Sequence, residues 1–465
     1  MSDSNGAIEE IQSGLDSPPS SQSSMAEYAT FVKMKTGMSR KLQYQPTKQY
    51  RLHNSMLAGV GFLELANVGD FAANVWNEIP IPIYAAVLMG VGGTLALAIS
   101  VFAVRDAILS SRNIALLRKE RYHLRTQREA LAAGVEITST CARGIEMQLD
   151  VNFRELGTEL VDRFGMDITM GFGAVMVGVG TLMALGGENP LVFHASNLLS
   201  GYIGNSPAAL YGLLNGIWSF YVLRRAMRHG AAAAKEVPEE GVLVVVKRRL
   251  RRVRTHAVIN GLTGIVAGAA SMVTATYWYG YPVLVPCILS AIFCNYIWRT
   301  RIGYDRPLTI KGPDLDKASL LEDLTHAISL QQVLAEGPAQ PLARLVPSPK
   351  SITSVVDFIQ SNDLFEDFCH RLLQDESFAR AVLGPPANEN ENEELILEPS
   401  RLLADKTHFP RLTEIAETTV REMGLTRFKY SERYLVEALG CYLCCSKEAT
   451  PATSQEALIS AREEK

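Results

Sequence analysis

The distribution of lysine and arginine constrains this chain more than any other sequence feature. Neither residue occurs in three long windows, 52–104, 164–223 and 255–298, which contain 53, 60 and 44 residues. One helical membrane crossing needs about 20 apolar residues, so each window can hold two crossings and a short turn. The sequence therefore predicts an all-α, polytopic helical membrane protein with six transmembrane helices arranged as three hairpins.

The predicted crossings lie in pairs within the three windows. Their approximate bounds are 55–76, 83–104, 168–187, 205–223, 257–278 and 283–298. Prolines stand near the start of each returning helix, at Pro82, Pro207 and Pro282. Proline is tolerated in the first helical turn because its missing N–H would have no partner there. The three hairpins share no clear sequence identity, so the repeat is architectural only.

The charged segments between the windows predict the orientation. Residues 105–163 and 224–254 carry ten lysines and arginines each, whereas the turns 77–82, 188–204 and 279–282 carry none. Lysine and arginine are enriched in cytoplasmic loops. We therefore expect a multi-pass membrane protein with both termini in the cytoplasm, and the sequence leaves the organelle open.

Composition divides the chain into four predicted regions. These are a disordered N-terminal cytoplasmic tail (1–50), a membrane domain (51–304) with cytoplasmic helical loops at 105–163 and 224–256, an α-helical cytoplasmic domain (305–446) and a disordered tail (447–465). The first tail contains the Ser/Pro-rich stretch "DSPPSSQSS", and its charges do not fit a secretory signal. The region 305–446 shows helical patterns without strand alternation.

The first predicted crossing contains unusual residues for a membrane helix. At about 100° per residue, a polar stripe about 120° wide is formed by Glu64, Asn67, Asp70 and Asn74. Two acids near mid-bilayer cost roughly 5–7 kcal/mol on insertion scales, and intramembrane acids commonly mark ion or proton pathways. We therefore predict an intramembrane cation or proton site at these four residues. In the alternatives, Asp70 lies at the far interface, or 55–76 lies on the membrane surface and five crossings remain.

Other polar residues in the predicted crossings are consistent with such a site. Asn215, Asn260 and Asn295 lie in the fourth, fifth and sixth crossings and can face the same interior. No lysine or arginine lies in any predicted crossing, so no ion pair is available inside the bundle. The carboxyl groups would therefore be protonated, or they would meet water or a cation.

A dense basic cluster precedes the fifth crossing. It comprises Lys247, Arg248, Arg249, Arg251, Arg252 and Arg254. Such juxtamembrane clusters attract anionic lipid head groups, at about 1 kcal/mol per charge near the surface. We predict contacts with the lipid bilayer and with anionic head groups here, and the alternative is that the charges only fix topology.

Glycine pairs predict where the membrane helices pack. Gly212 and Gly216 are four residues apart in the fourth crossing, and Gly264 and Gly268 are four apart in the fifth. Small residues let helix backbones approach closely in lipid, where apolar side chains gain nothing by leaving the acyl chains. The alternative is that these glycines reflect only the high glycine content of membrane helices.

No motif predicts an enzyme, a cofactor or a metal site. The glycine-rich runs lack the lysine and hydroxyl of a phosphate loop. The seven cysteines do not suggest a disulfide framework, and "CYLCC" (441–445) is a lone CxxC that predicts buried thiols better than zinc or palmitoylation. The net charge of −4 gives no reason to expect a nucleic-acid partner.

Three segments carry a resemblance to a group of integral membrane proteins of filamentous fungi. They are "RLHNSMLAGVGFLELANVGDFAANVWNEIPIP" (51–82), "NDLFEDF" (362–368) and "RFKYSERYLVEALGCYL" (427–443). The likeness covers about residues 45–446. It implies a fungal origin, and it implies no mechanism or ligand.

Two functional hypotheses follow from the sequence. In the first, the protein moves or senses a small cation or proton, which Glu64 and Asp70 bind. In the second, it is a membrane-anchored scaffold or regulatory protein whose cytoplasmic helical domain recruits an unknown protein partner. A membrane enzyme ranks third.

Overall fold

The computed structural model describes residues 28–36, 41–47, 51–76, 80–133, 139–309, 316–337, 340–383 and 394–448. Backbone contacts divide the chain into two compact units. The larger unit comprises Lys48–Glu336 and Leu425–Lys465, and the smaller unit comprises Met1–Thr47 and Gly337–Gly424. This division differs from the predicted one, because parts of the predicted cytoplasmic domain 305–446 belong to the larger unit.

Helices dominate the described chain. The α-helices are α1 (Phe71–Val75), α2 (Ile83–Ala132), α3 (Ser139–Thr158), α4 (Met166–Met183), α5 (Pro190–Asn197), α6 (Ser206–Glu236), α7 (Glu240–Thr274), α8 (Gly280–Ile297), α9 (Lys317–Ala335), α10 (Pro341–Leu345), α11 (Ile352–Ser361), α12 (Phe365–Gln374), α13 (Glu376–Leu383), α14 (Pro399–Leu402), α15 (Phe409–Thr419) and α16 (Leu425–Glu448). The 3₁₀-helices are Ala58–Val68, Ala184–Gly186 and Lys406–His408, and the π-helices are Glu159–Gly165, Leu198–Ile203, Trp298–Ile302 and Val420–Gly424. The strands are β1 (Ala29–Thr36), β2 (Lys41–Pro46), β3 (Arg51–Leu52), β4 (Arg306–Pro307) and β5 (Glu394–Leu397).

Four helical runs of the described chain are long and apolar enough to cross a membrane. They are Ile83–Ala132, Cys141–Gly186, Glu240–Thr274 and Gly280–Ile302. They contain the predicted second and sixth crossings and most of the third and fifth, and they indicate a membrane protein. Large apolar side chains remain exposed along them, for example Val91, Phe172, Leu262 and Phe293, as a lipid-facing surface requires.

The first predicted crossing is not a continuous α-helix. Residues Ala58–Val68 form a 3₁₀-helix, and the short helix α1 begins only after Gly69 and Asp70. Glycines allow this segment to approach α2 closely, since a Cβ on Gly69 would lie 3.1 Å from the Gly92 carbonyl oxygen. A 3₁₀-helix rises about 2.0 Å per residue, so these eleven residues extend about 22 Å.

The fourth predicted crossing also differs from the expectation. Its helix α6 is long, but it is not among the four runs, because polar residues such as Asn215 and Ser219 interrupt its apolar sequence. Before it, the predicted bare turn 188–204 contains α5 and a π-helix. A Cβ on Gly180 would lie 2.6 Å from the backbone nitrogen of Ser200, so this part runs along α4. The number of crossings, six or fewer, therefore stays a prediction.

The charged helices of the larger unit form a separate core. Buried side chains of α3, α6, α7, α9 and α16 pack together there, including Val151, Ala226, Val246, Leu324 and Leu439. These helices include parts of both predicted cytoplasmic loops and the last described residues of the chain. The structure thus packs α9 and α16 onto the loops rather than into a separate C-terminal domain.

The smaller unit contains a sheet that the sequence analysis did not predict. Strands β2, β1 and β5 form an antiparallel sheet in that order, and Phe31 of β1 lies opposite both Pro46 and Leu395. Residues 29–36 and 41–46 were assigned to the disordered tail 1–50, so that assignment is wrong for these strands. Residues 1–27, 37–40 and 48–50 of that tail, and most of the tail 447–465, lie outside the described residues.

Candidate functional site

A polar cavity lies in the larger unit between the Ala58–Val68 helix and helices α6, α7 and α8. The space within it and at its opening, open solvent included, amounts to about 470 Å³. It is lined by Met56, Glu64, Asp162, Met166, Tyr211, Asn215, His256, Asn260, Thr263, Gly264, Ala291, Asn295 and Trp298. We call it the Glu64 cavity. It contains all three asparagines that the sequence placed in the fourth, fifth and sixth crossings.

Two carboxyl groups of the Glu64 cavity have unpartnered oxygens. Within the described chain, neither Glu64 Oε2 nor Asp162 Oδ1 has a hydrogen-bond partner, although both atoms are buried. A buried polar atom without a partner costs about 1–3 kcal/mol. The described lining contains no lysine or arginine. A proton, a cation or water is therefore needed to complete the coordination of these oxygens.

Helices α6 and α7 position the amides of the cavity. Asn260 Nδ2 donates a 2.9 Å hydrogen bond to Asn215 Oδ1, and Asn215 Nδ2 donates to the Asn260 carbonyl oxygen at 3.2 Å. Asn215 is buried. The side chains thus hold each other across the helix pair, and they present fixed amide groups to the cavity.

Glycines bring these two helices together. A Cβ on Gly212 would collide with the Gly264 carbonyl oxygen, and a Cβ on Gly268 would lie 2.9 Å from Ala209 Cα. A Cβ on Gly216 would lie 2.6 Å from Ile265 Cδ1. The four glycines that the sequence singled out for packing therefore lie where the backbones of α6 and α7 approach each other.

Asp70 and Asn74 lie in a different network from Glu64. Tyr281 donates its hydroxyl to Asp70 Oδ1 at 2.9 Å, and Asn74 Nδ2 donates to Asp70 Oδ2 at 2.9 Å. Asp70 is fully buried. Neither residue lines the Glu64 cavity, and the side chain of Asn67 lies outside the described residues.

The predicted site of four residues is therefore divided. The physical reason is the local backbone geometry, because the polar stripe was predicted from the periodicity of a continuous α-helix. The backbone is instead a 3₁₀-helix that ends at Val68, and the turn at Gly69 and Asp70 reorients the residues that follow. Glu64 is directed to the cavity, and Asp70 is directed to Tyr281 at the start of α8.

The basic cluster of α7 is divided as well. Arg249 is buried and donates to the carbonyl oxygens of Arg301 and Ile302, at 2.6 and 2.5 Å. It therefore satisfies carbonyl groups at the end of a π-helix, which otherwise lack partners. The prediction of a surface lipid contact is wrong for Arg249. The other five residues are exposed, and they fall within an arc of about 160° that excludes Arg249: Lys247, Arg248, Arg251, Arg252 and Arg254.

Sequence reasoning missed Asp162, Tyr211 and His256 as lining residues of the Glu64 cavity. Asp162 lies in the π-helix Glu159–Gly165, just before the third predicted crossing, where charge suggested a cytoplasmic position. Single π-helical turns inside α-helices occur frequently at functional sites. No periodicity in the sequence distinguishes such a turn from an ordinary α-helix.

One trio of described side chains has the spacing of metal ligands. The ligand atoms of Asp150, His229 and Cys441 lie within 4.8 Å of one another. Arg225 already occupies this place, because it donates to Asp150 Oδ1 at 2.7 Å and to Cys441 Sγ at 2.9 Å. A guanidinium among the ligands repels a metal ion, so the donor set does not fit a metal centre.

Comparison with known proteins adds no relative from which a function could be transferred. No protein-family model matches the chain, and no curated protein or solved structure matches it significantly. The resemblance to fungal membrane proteins stays a prediction. The function must therefore be argued from the chemistry of the site itself.

Proposed function

We propose that this protein moves or senses a small cation or proton through the Glu64 cavity. The observation that carries the proposal is the buried Glu64 Oε2, which has no hydrogen-bond partner among the described residues. Asp162 contributes a second unpartnered carboxylate oxygen to the same cavity. Ionisable residues within membrane segments typically mark ion or proton pathways.

The donor set of the cavity suits a hard cation or a proton. Two carboxylates are combined with the amides of Asn215, Asn260 and Asn295. Carboxylate and amide oxygens are the ligands that alkali and alkaline-earth cations prefer. Protonation of one carboxyl group would satisfy the same oxygens, so the assay must distinguish protons from metal cations.

The irregular first segment supports a path rather than an isolated site. Non-helical backbone at membrane depth is tolerated where protein or a water-filled cavity surrounds it. Transporter sites commonly lie beside such discontinuous helices. The network of Asp70, Asn74 and Tyr281 begins six residues beyond Glu64 in the sequence, after the turn that follows the 3₁₀-helix. We propose that it forms a second polar site on the path of the ion.

The proposal includes six crossings, with the first made by the discontinuous segment 55–76 and the fourth by helix α6, and both termini in the cytoplasm. Single cysteines at the exposed positions Tyr122 and Glu188 test this orientation in a protein without other cysteines. In sealed right-side-out vesicles, an impermeant thiol reagent should label the cysteine at 188 and leave the cysteine at 122 protected. Labelling of both positions from the same side would contradict the topology.

Flux measurements in proteoliposomes test the function. We expect uptake of protons or of a monovalent cation by the wild-type protein, and we expect Glu64→Gln to reduce it by at least about tenfold, because the substitution removes the charge and keeps the shape. Glu188→Gln is the matched control, since Glu188 is exposed outside the cavity. A pH-sensitive dye and separate sodium and potassium gradients identify the ion. Wild-type flux that Glu64→Gln leaves unchanged would remove Glu64 from the path.

The scaffold hypothesis remains the second candidate, and the compactness of the smaller unit favours it. Buried side chains of α11, α12 and α15 form a core there, including Ile359, Phe368, Leu372 and Leu412. Absent flux in every gradient would favour a scaffold. In that case, cross-linking of the full-length protein in native membranes should capture a stable partner at exposed positions of α11 or α15.

A further inference from the structure

A second cavity lies in the larger unit where α3, α6, α7 and α16 meet. The space within it and at its opening, open solvent included, amounts to about 390 Å³. Three arginines from three helices line it, Arg154, Arg225 and Arg249, and Glu437 is its one acidic lining residue among those described. We call it the arginine cavity. It adjoins the Glu64 cavity, because Trp298 lines both, and the proposed function gives it no role.

Positive charge exceeds negative charge in the arginine cavity. Arg225 pairs with Glu437 at 3.0 Å and with Asp150 at 2.7 Å. Asp150 does not line the cavity. Arg249 donates to the neutral carbonyl groups described above and forms no ion pair with a carboxylate of the described chain, although Glu437 favours its charge at longer range. Within the lining itself, three arginines accompany one carboxylate; outside it, Asp150 pairs with Arg225, and Glu155 and Asp162 interact electrostatically with Arg154. Burying an excess charge is costly unless a counter-ion compensates it.

One guanidinium atom of the cavity also lacks a partner. Arg154 Nε is buried without a hydrogen bond among the described residues, and it lies 3.6 Å from Glu437 Oε1, beyond hydrogen-bond distance. The rest of Arg154 is fixed, because its Nη2 donates to the Tyr304 hydroxyl. The site therefore offers a rigid cation with an available N–H group inside a cavity.

The lowered pKa of the Glu437 carboxyl group is consistent with an excess of positive charge around it. Burial by itself raises the pKa of this carboxyl group, but Arg154 and Arg225 reverse that effect and hold its pKa well below the usual range. Glu437 thus stays ionised and still does not balance the arginines around it.

We propose that the arginine cavity binds the phosphate group of an anionic ligand. Guanidinium groups match phosphate oxygens in geometry and form strong charge-assisted hydrogen bonds with them. The other lining residues are mostly apolar and include Trp298, which follows α8 at the end of the sixth predicted crossing. Two sources share this chemistry, the head group of an anionic lipid and a free phosphate compound.

Ligand-induced thermal stabilisation of the full-length protein in neutral detergent tests this proposal. The probes are inorganic phosphate and short-chain phosphatidic acid, and phosphatidylcholine of the same chain length is the neutral control. We expect a phosphate-bearing probe to raise the Tm and phosphatidylcholine to leave it unchanged. Stabilisation by inorganic phosphate would identify a free phosphate site, whereas stabilisation by phosphatidic acid alone would identify a lipid site.

Two substitutions with opposite expected effects assign the binding to the cavity. Arg154→Gln should weaken the affinity by about tenfold, because it removes one charge-assisted contact. Glu437→Gln should tighten the affinity by a similar factor, because it removes the one acidic group of the described lining. A gain in affinity cannot result from misfolding, so the second variant is decisive even where the first destabilises the protein.

Surface charge provides the matched control. Arg251→Gln combined with Arg254→Gln removes two exposed charges from α7 and leaves the cavity intact. Binding through the cavity should be unchanged in this variant. The proposal is overturned where no phosphate-bearing probe stabilises the wild-type protein, or where the surface variant loses binding and Glu437→Gln leaves it unaltered.

Discussion

Two regions of the larger unit differ in whether their buried charged groups have partners. On the side of the charged helices, Arg306 pairs with Glu120 at 2.7 Å and with Glu155 at 2.5 Å. These three side chains are at most 4 % exposed, and Asn152 donates a further hydrogen bond to Glu120 at 2.8 Å. In the Glu64 cavity, by contrast, carboxylate oxygens are buried without partners.

The difference distinguishes structural charge from candidate functional charge. A buried ion pair costs desolvation energy, and its charges need each other, so removal of one partner is strongly destabilising. An unpartnered buried carboxylate weakens the fold, so its removal should stabilise the protein. Substitutions in the two regions should therefore change stability with opposite sign. Measured free energies of unfolding of the variants test this difference.

The largest effect is expected at the paired region. Arg306→Met should lower the free energy of unfolding by about 3–5 kcal/mol, because Glu120 and Glu155 would remain buried without their common counter-ion. Reversible unfolding in detergent, followed by circular dichroism, measures the change. Arg301→Met is the control, since Arg301 is exposed. Equal stability of both variants would contradict a structural role for the buried cluster.

The second largest effect concerns the dependence of stability on pH. His229 is 2 % exposed, and burial lowers its pKa to about 4 from an ordinary value of about 6.5. The unfolded state therefore binds a proton that the folded state resists, so stability should be lost as the pH falls from about 6.5 toward 4. The loss from this residue should reach about 3 kcal/mol.

Substitution isolates that contribution. His229→Gln should flatten the fall in unfolding free energy between pH 6.5 and pH 4 relative to the wild-type protein. His194→Gln should not, because His194 is exposed. Parallel profiles for the wild-type protein and His229→Gln would show that His229 is hydrated or paired in solution.

Sequence patterns predicted the parts of this fold that depend on long-range composition. The windows without lysine and arginine located four membrane-competent helices, because exclusion of charge from lipid acts over about 20 residues at a time. The asparagines of three predicted crossings were also expected to face one interior, and the structure places Asn215, Asn260 and Asn295 on one cavity.

The remaining features depend on local geometry or on distant partners. The 3₁₀-helix at Ala58–Val68 separates Glu64 from Asp70, and no residue pattern distinguishes it from an α-helix with several glycines. The pairing of β1 with β5 was missed because the two strands lie more than 350 residues apart along the chain, whereas the hairpin of β1 and β2 is local. The ion pairs of Arg306 join segments that are 151 and 186 residues apart.

A smaller effect is expected where α6 and α7 carry the amides of the cavity. Gly212→Ala should lower the free energy of unfolding by about 2 kcal/mol, because the new methyl group would overlap the Gly264 carbonyl oxygen. Gly90→Ala is the control, since a Cβ there has no neighbour within 4 Å. That control should be neutral or slightly stabilising, because alanine favours helix more than glycine does. Similar losses in both variants would indicate that α6 and α7 are not packed at Gly212.

The smallest expected change in unfolding free energy is also the most direct test of the difference between the two regions. Glu64→Gln keeps the shape of the side chain and removes a charge that no described group balances, so it should raise the free energy of unfolding by about 1 kcal/mol. The same variant is expected to lose cation or proton flux. A gain in stability together with a loss of activity is the behaviour of a residue retained for function at a cost to the fold. If Glu64→Gln instead destabilises the protein as Arg306→Met should, Glu64 has a structural partner in the membrane, and the distinction between the two regions fails.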